Sequence, residues 1–198
     1  MSVSAVGVVG CGPQGLSVVE AFAVAGWPVL AVQVTASGGG HARRRLRRTL
    51  GLRVEIGELS AERADRAFER VTFTRDLRSV EGRDLVIEST VGDVRARRAM
   101  MATLEGRISR GAILASNALP DDLLRMAEVL LRRDQFIGLR FFHPATHTPQ
   151  VEVTPLPDTA PGVIATCEQV CRWLAKVPVE RTVDLVAEPT AAAARRYV

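Results

Sequence analysis

One hexapeptide restricts the fold more than any other part of the chain: Gly10-Cys11-Gly12-Pro13-Gln14-Gly15, a G-x-G-x-x-G turn. Alone the pattern is weak. Here it lies between an apolar run of strand length, Val3 to Val9, and a helical stripe carrying Leu16, Val19 and Ala23. The helix is expected from about Pro13 to Ala25, closed by Gly26, and Pro28 to Val34 reads as a second strand. Strand, tight turn, helix and strand within about thirty residues form a βαβ unit, which implies a parallel sheet. In such a unit the first glycine makes the bend, the second lets backbone approach a pyrophosphate, and the third lets helix pack on strand. The helix N-terminus then offers free N–H groups to the phosphates. Gly10, Gly12, Gln14 and Gly15 are therefore candidate dinucleotide-binding residues, with a glycine turn that binds nothing as the alternative.

The alternation continues downstream. Helices are expected from His41 to about Leu52, after Ser60, from Asp93 to about Leu104, from Pro120, and from about Gly162 to Ala175. Strands are expected at Val71–Phe73, Asp84–Glu88, Ala112–Ala115, Phe136–Phe142, Val151–Val153 and Val177–Val183. Ser60 and Asp93 are residue types that cap helix N-termini, and Pro120-Asp121-Asp122 puts a proline and acids in a first turn, where both are favoured. The class is α/β, a doubly wound, mostly parallel sheet of the Rossmann type. One domain is expected over residues 1–185, with an Arg-rich helical insert at about 41–70, followed by a short helical tail over 186–198.

Composition excludes several functions. With 47% hydrophobic and 24% charged residues in 198, the chain is neither disordered nor fibrous and buries a full core without a metal or disulfide staple. Cys11, Cys167 and Cys171 have no framework spacing, so reduced thiols and a cytoplasmic protein are expected. Glu20 is the single charge between Val3 and Val34, but Gly10–Pro13 and Gly26–Pro28 interrupt the run, so no stretch reaches the roughly 18 apolar residues of a membrane span. No basic residue precedes it, which argues against a secretory signal. The formal charge is +4, carried almost wholly by Arg because Lys176 is the one lysine. Aromatic residues make up 5% of the chain, too sparse to interleave the basic residues as nucleic-acid stacking platforms do. His143 and His147 lie in a proline-containing loop without an evident third ligand, so no metal is expected.

A second feature of the dinucleotide unit is missing. An acid near the end of the second strand would hold the ribose hydroxyls of NAD, yet no Asp or Glu occurs between Glu20 and Glu55. The strand instead ends Val32-Gln33-Val34, followed by Arg43, Arg44, Arg45, Arg47 and Arg48. Gln33 can hydrogen-bond a ribose without charge assistance. The missing acid and the nearby arginines are compatible with a 2′-phosphate, hence NADP, or with a turn that has lost its dinucleotide. The arginines also read as a solvated helix face.

Gly7-Val8-Val9-Gly10-Cys11-Gly12, Gly57-Glu58-Leu59-Ser60-Ala61-Glu62 and Asp84-Leu85-Val86-Ile87-Glu88 follow one another at characteristic spacing. They continue with Ile113-Leu114-Ala115-Ser116-Asn117, Ile137-Gly138-Leu139-Arg140-Phe141-Phe142-His143-Pro144 and Val151-Glu152-Val153. Together they resemble the NAD-binding domain of the 3-hydroxyacyl-CoA dehydrogenases over nearly the whole chain. The resemblance implies that Glu88, Asn117 and Arg97, at the place of a family lysine, lie along the cofactor. It also implies a role in fatty acid metabolism, and likens the hairpin from His41 to about Arg70 to a helical insert that touches coenzyme A.

The departures fall on the chemistry. The family reduces a 3-ketoacyl thioester, or runs the reverse, with a His–Glu pair. The segment bearing its histidine, His-Phe-Phe-Asn-Pro, here reads Arg140-Phe141-Phe142-His143-Pro144, while Glu152 matches the carboxylate. The family's Ser-Asn-Thr-Ser-Ser becomes Ser116-Asn117-Ala118-Leu119-Pro120. Arg is no acid–base near neutral pH, and Leu119 and Pro120 bring no side-chain donor. His143 is expected to take over the proton, or Arg140 to stabilise an oxyanion or hold a carboxylate beside Glu152; a retired site with a structural Arg140–Glu152 pair is the third option.

Two functional expectations follow. One is an NAD- or NADP-dependent oxidoreductase with a rearranged site, acting on a thioester bound to CoA or a carrier protein, or on a related small ketone. The other is a non-catalytic nucleotide- or CoA-binding module working through a partner chain. The family's chain continues into a helical domain whose lead-in is missing after Val183. Apolar surface left open there is expected to be covered in a homodimer or by a partner.

Overall fold

Val6–Val9 (β1), Val29–Val32 (β2), Val71–Thr74 (β3), Leu85–Glu88 (β4), Ile113–Ser116 (β5) and Phe136–Phe141 (β6) lie parallel in one sheet. Gln150–Thr154 (β7) joins β6 antiparallel, and Val177–Glu180 (β8) lies parallel to β7, giving the order β3-β2-β1-β4-β5-β6-β7-β8. The computed structural model describes residues 3–34 and 40–183. The tail expected over 186–198 lies outside the described residues.

The helices divide between the two sheet faces because strand side chains alternate. Val8, Ala31 and Ile87 face Pro13–Val24 (α1), His41–Glu55 (α2), Ala61–Glu69 (α3) and Pro161–Trp173 (α6). Val9, Leu30 and Val86 face Val94–Glu105 (α4) and Pro120–Ala127 (α5). Strands buried on both faces explain why the runs are almost continuously apolar.

The caps form as the residue types require. Ser60 Oγ accepts from Arg63 N at 3.2 Å, Asp93 Oδ1 accepts from Ala96 N at 2.8 Å, and Pro120 opens α5. Gly26, at φ 102°, closes α1, and Gly57, at φ 78°, turns the chain between α2 and α3, a conformation that side chains with a Cβ rarely adopt.

Several strands are shorter than their apolar runs. The run from Val3 becomes a strand only at Val6, because Asp84 Oδ2 accepts from Ser4 N, Ser4 Oγ and Ala5 N and holds that entry in place of a ladder. The run Pro28 to Val34 contributes Val29–Val32, the residues that pair with β1. Val177 to Val183 ends as a strand at Glu180, where its register with β7 stops. Conversely α2 runs past Leu52 to Glu55, since Arg53 in its last turn is bonded on both sides.

Candidate functional site

The glycine turn stands where β1 and β4 meet while their onward connections diverge, the position at which doubly wound sheets bind ligands. Each glycine has a distinct task. Gly10 has φ 101°, and a Cβ there would sit 2.5 Å from the Ser89 carbonyl oxygen. A Cβ on Gly15 would overlap the Gly10 carbonyl oxygen, so α1 reaches β1 this closely only without one. Gly12 is different: a Cβ there meets nothing within 4 Å. Its lack of a side chain serves no internal packing and leaves room for a group from outside.

The α1 N-terminus has no side-chain cap and no acid in its first turn, so its positive dipole end is uncompensated. Gly10, Cys11, Gly12, Gln33, Val34, Ser89, Thr90 and Val91 enclose a crevice of about 170 Å³ beside it. Gln33 lines the same crevice as the glycine turn. Ser89 and Thr90 form the opposite wall; their place just after β4 was the signal that could have nominated them. Burial pushes the Cys11 thiol up to about 12, so it stays protonated and adds no charge at the phosphate turn. Gln14, expected among the cofactor residues, does not line the crevice: its Nε2 donates to the Phe141 carbonyl at 3.2 Å, tying α1 to the end of β6.

Glu88, Arg97 and Asn117 carry internal bonds. Glu88 is wholly buried and accepts from Arg97 Nη2 at 2.8 Å, Ser116 Oγ at 2.8 Å, Thr90 N at 2.7 Å and the Thr90 hydroxyl. Arg97 also reaches Ser116 Oγ at 3.2 Å and Asp122 at 3.8 Å, so this pair fastens α4 and α5 to the ends of β4 and β5. Asn117 clamps three strand ends: Oδ1 accepts from Phe141 N at 2.8 Å and Nδ2 donates to Ser89 Oγ at 3.1 Å.

Arg140 and Glu152 stand opposite each other in the β6–β7 ladder, and Arg140 Nη1 donates to Glu152 Oε2 at 3.0 Å. The guanidinium lies over the Phe142 ring, 4.7 Å from its centroid. Arg181, just beyond β8, reaches the other oxygen of Glu152 at 3.5 Å. No local pattern announced Arg181.

His143 is not beside them. It is exposed and lines an apolar cleft of about 290 Å³ between α1, α2 and the loop after β6, with Leu16, Leu52, Ile56 and Pro144. His147 shares that cleft and bonds both Glu58 oxygens at 3.1 Å. Glu58 takes Arg53 Nε at 2.9 Å, and Arg53 Nη1 reaches buried Glu20 at 3.2 Å. These neighbours, His147 foremost and then Arg53, hold the Glu58 carboxyl below its usual range. The chain of charges straps the insert to α1 and to the 143–149 loop.

The arginines of α2 are sorted by this packing. Arg43 and Arg47 stack on Phe68 of α3 at 5.1 and 4.8 Å, and Arg47 pairs with Asp65 at 2.8 Å. Arg45 and Arg48 are exposed and have no salt bridge among the described residues, and Arg45 lines the cleft. Among the described residues no three His, Cys, Asp or Glu side chains cluster as a metal site, and no helix is long and apolar enough to cross a membrane.

Comparison with known proteins gives a consistent result. The family model described as 3-hydroxyacyl-CoA dehydrogenase, NAD binding domain, matches residues 5–184. The fatty acid oxidation complex subunit alpha of Pseudomonas aeruginosa is 28% identical over 172 residues, which is 87% of this chain and 24% of that protein. This chain therefore spans about a quarter of the curated relatives' length. Among solved structures, the 3-hydroxybutyryl-CoA dehydrogenase of Escherichia coli superposes with a TM-score of 0.87 at 26% identity, covering 92% of this chain and 39% of that one. FadB2 of M. tuberculosis superposes with a TM-score of 0.88 at 29% identity, covering 92% and 65%.

Proposed function

From the premise that the chain belongs to the 3-hydroxyacyl-CoA dehydrogenase NAD-binding domain family, we propose that it is an NAD(P)-dependent oxidoreductase with a rearranged acid–base site. The observation that carries the reading is Gly12, whose missing Cβ fills no internal need and opens the crevice to a phosphate at an uncapped helix end. Gly10, Gly12 and the first turn of α1 would hold the pyrophosphate, with Gln33, Ser89 and Thr90 lining the remainder. The nucleotide supplies or accepts a hydride when bound.

The chain's own groups must then manage charge and proton. Arg140 serves as a fixed positive group for a developing oxyanion or a carboxylate, with Glu152 orienting it. His143 lies two residues beyond β6 and makes no side-chain hydrogen bond among the described residues, so its imidazole is free to give a proton to the reduced oxygen or take it in the reverse direction. Substrates are 3-keto or 3-hydroxy compounds, as acyl thioesters of CoA or a carrier protein, or related small ketones. A homodimer or a partner chain would cover exposed apolar side chains.

A specific observation favours a second reading, a non-catalytic nucleotide- or CoA-binding module. Arg140 and His143 line different cavities, so the two groups nominated for the chemistry are not assembled in one place. Steady-state reduction of acetoacetyl-CoA separates the readings. The oxidoreductase should turn over about 10²–10⁴-fold below an enzyme that keeps a positioned acid–base, and His143→Ala should remove what activity there is. Nucleotide binding with no turnover of any ketone supports the module; turnover untouched by His143→Ala excludes the proton role.

A further inference from the structure

A cavity of about 580 Å³ opens over Arg140, Arg181 and Thr182, with Leu119 and Pro120 as its apolar side. Two guanidinium groups here share a single carboxylate. Glu152 gives one oxygen to Arg140 Nη1 at 3.0 Å and the other to Arg181 Nε at 3.5 Å, which leaves one positive charge uncompensated within the triad. A guanidinium carries five N–H donors. Arg140 spends one on Glu152, and Arg181 offers its Nε alone to it. Neither makes another side-chain hydrogen bond among the described residues.

The Arg140 guanidinium is held in place, whereas Arg181 is anchored through its backbone with its side chain 58% exposed. Arg140 is fixed by the β6–β7 ladder opposite Glu152 and by the face of Phe142, while the Arg181 backbone N donates to Val153 O at 2.9 Å. A planar, pre-positioned fork of this kind matches the geometry of a carboxylate. The cavity lining balances the two guanidinium groups with exposed Asp121 and Glu180, so the hold on an anion is directional rather than a net positive field, and a dianion or polyphosphate is repelled more than a single carboxylate.

We infer that Arg140 and Arg181 form a carboxylate subsite, so that the substrate class is a small free keto or hydroxy acid rather than a thioester. The substrate assignment rests on the oxidoreductase reading; the subsite itself does not.

Calorimetric titration of the full chain with 3-hydroxybutyrate, its methyl ester, 3-hydroxybutyryl-CoA and inorganic phosphate tests it. The free acid should bind at least tenfold more tightly than the ester and more tightly than phosphate or the thioester. Arg181→Gln should weaken the acid about tenfold at an unchanged melting temperature, with Arg181→Lys between the two. Equal or tighter binding of the ester, preference for phosphate or the thioester, indifference to Arg181→Gln, or no binding of the acid would each overturn the proposal. Nucleotide reduction followed in parallel keeps the two ideas apart. Selective acid binding without turnover sinks the oxidoreductase reading and leaves the subsite standing; thioester turnover without acid preference does the opposite.

Discussion

Glycine is where sequence and geometry correspond most directly, because what a missing Cβ permits is decided within a few ångströms. Gly10 and Gly15 are demanded by the fold itself, through a positive φ and through contact between α1 and β1. Gly12 is demanded by neither. Gly12→Ala should therefore fold with an unchanged melting temperature while losing nucleotide affinity at least tenfold, about 1.4 kcal/mol, in calorimetric titration. Unaltered affinity would mean that no phosphate approaches this backbone. Gly15→Ala is the control, expected to lose stability as well. The turn was legible because its requirements are local. Arg181 on Glu152, and the strap from Glu20 through Arg53 and Glu58 to His147, were not: apart from Arg53 and Glu58 the partners lie far apart in sequence, and no periodicity links them.

At the scale of elements, the βαβ alternation was readable because strands buried on both faces are uniformly apolar and the helices are punctuated by Ser60, Asp93, Pro120 and Gly26. Strand ends were less readable. Pairing partners rather than apolar content decide where a strand stops, which is why Val3 and Val183 lie outside β1 and β8. What joins the elements at the crevice is Glu88, buried at the end of β4 with Arg97 of α4. The resemblance placed both along a cofactor, and their bonding makes them first a bolt between strand ends and helices. Removing one partner of a buried pair strands the other charge, typically at about 3–5 kcal/mol. Glu88→Gln should destabilise by about that much in urea unfolding. Glu88→Gln combined with Arg97→Met should recover part of the loss, because no unpartnered guanidinium then remains buried. Two losses that simply add would show that the groups act independently.

For the molecule as a whole, the sheet order puts the ends of β1, β2 and β4 around one crevice, and under the proposed function the choice between nucleotides falls to the β2 side. NAD-binding units usually place an acid there to accept from the ribose hydroxyls. Here Gln33 stands at that edge, and no carboxylate lines the crevice among the described residues. A carboxylate would repel a 2′-phosphate; Gln33 does not, and its amide donors can face one. The arginines of α2 follow directly in sequence, and those not engaged with Phe68, Asp65, Glu20 or Glu58 keep the region positive. NADPH should therefore bind at least as tightly as NADH, although the family at large is described by NAD. Titration of both nucleotides is the measurement, repeated at two salt concentrations. A preference for NADPH that shrinks as salt rises matches an electrostatic hold on the extra phosphate, since screening weakens exposed charge pairs. A tenfold preference for NADH would mean that Gln33 grips the ribose unaided. In that case the loss of the acid changed affinity and left selectivity where the fold had put it.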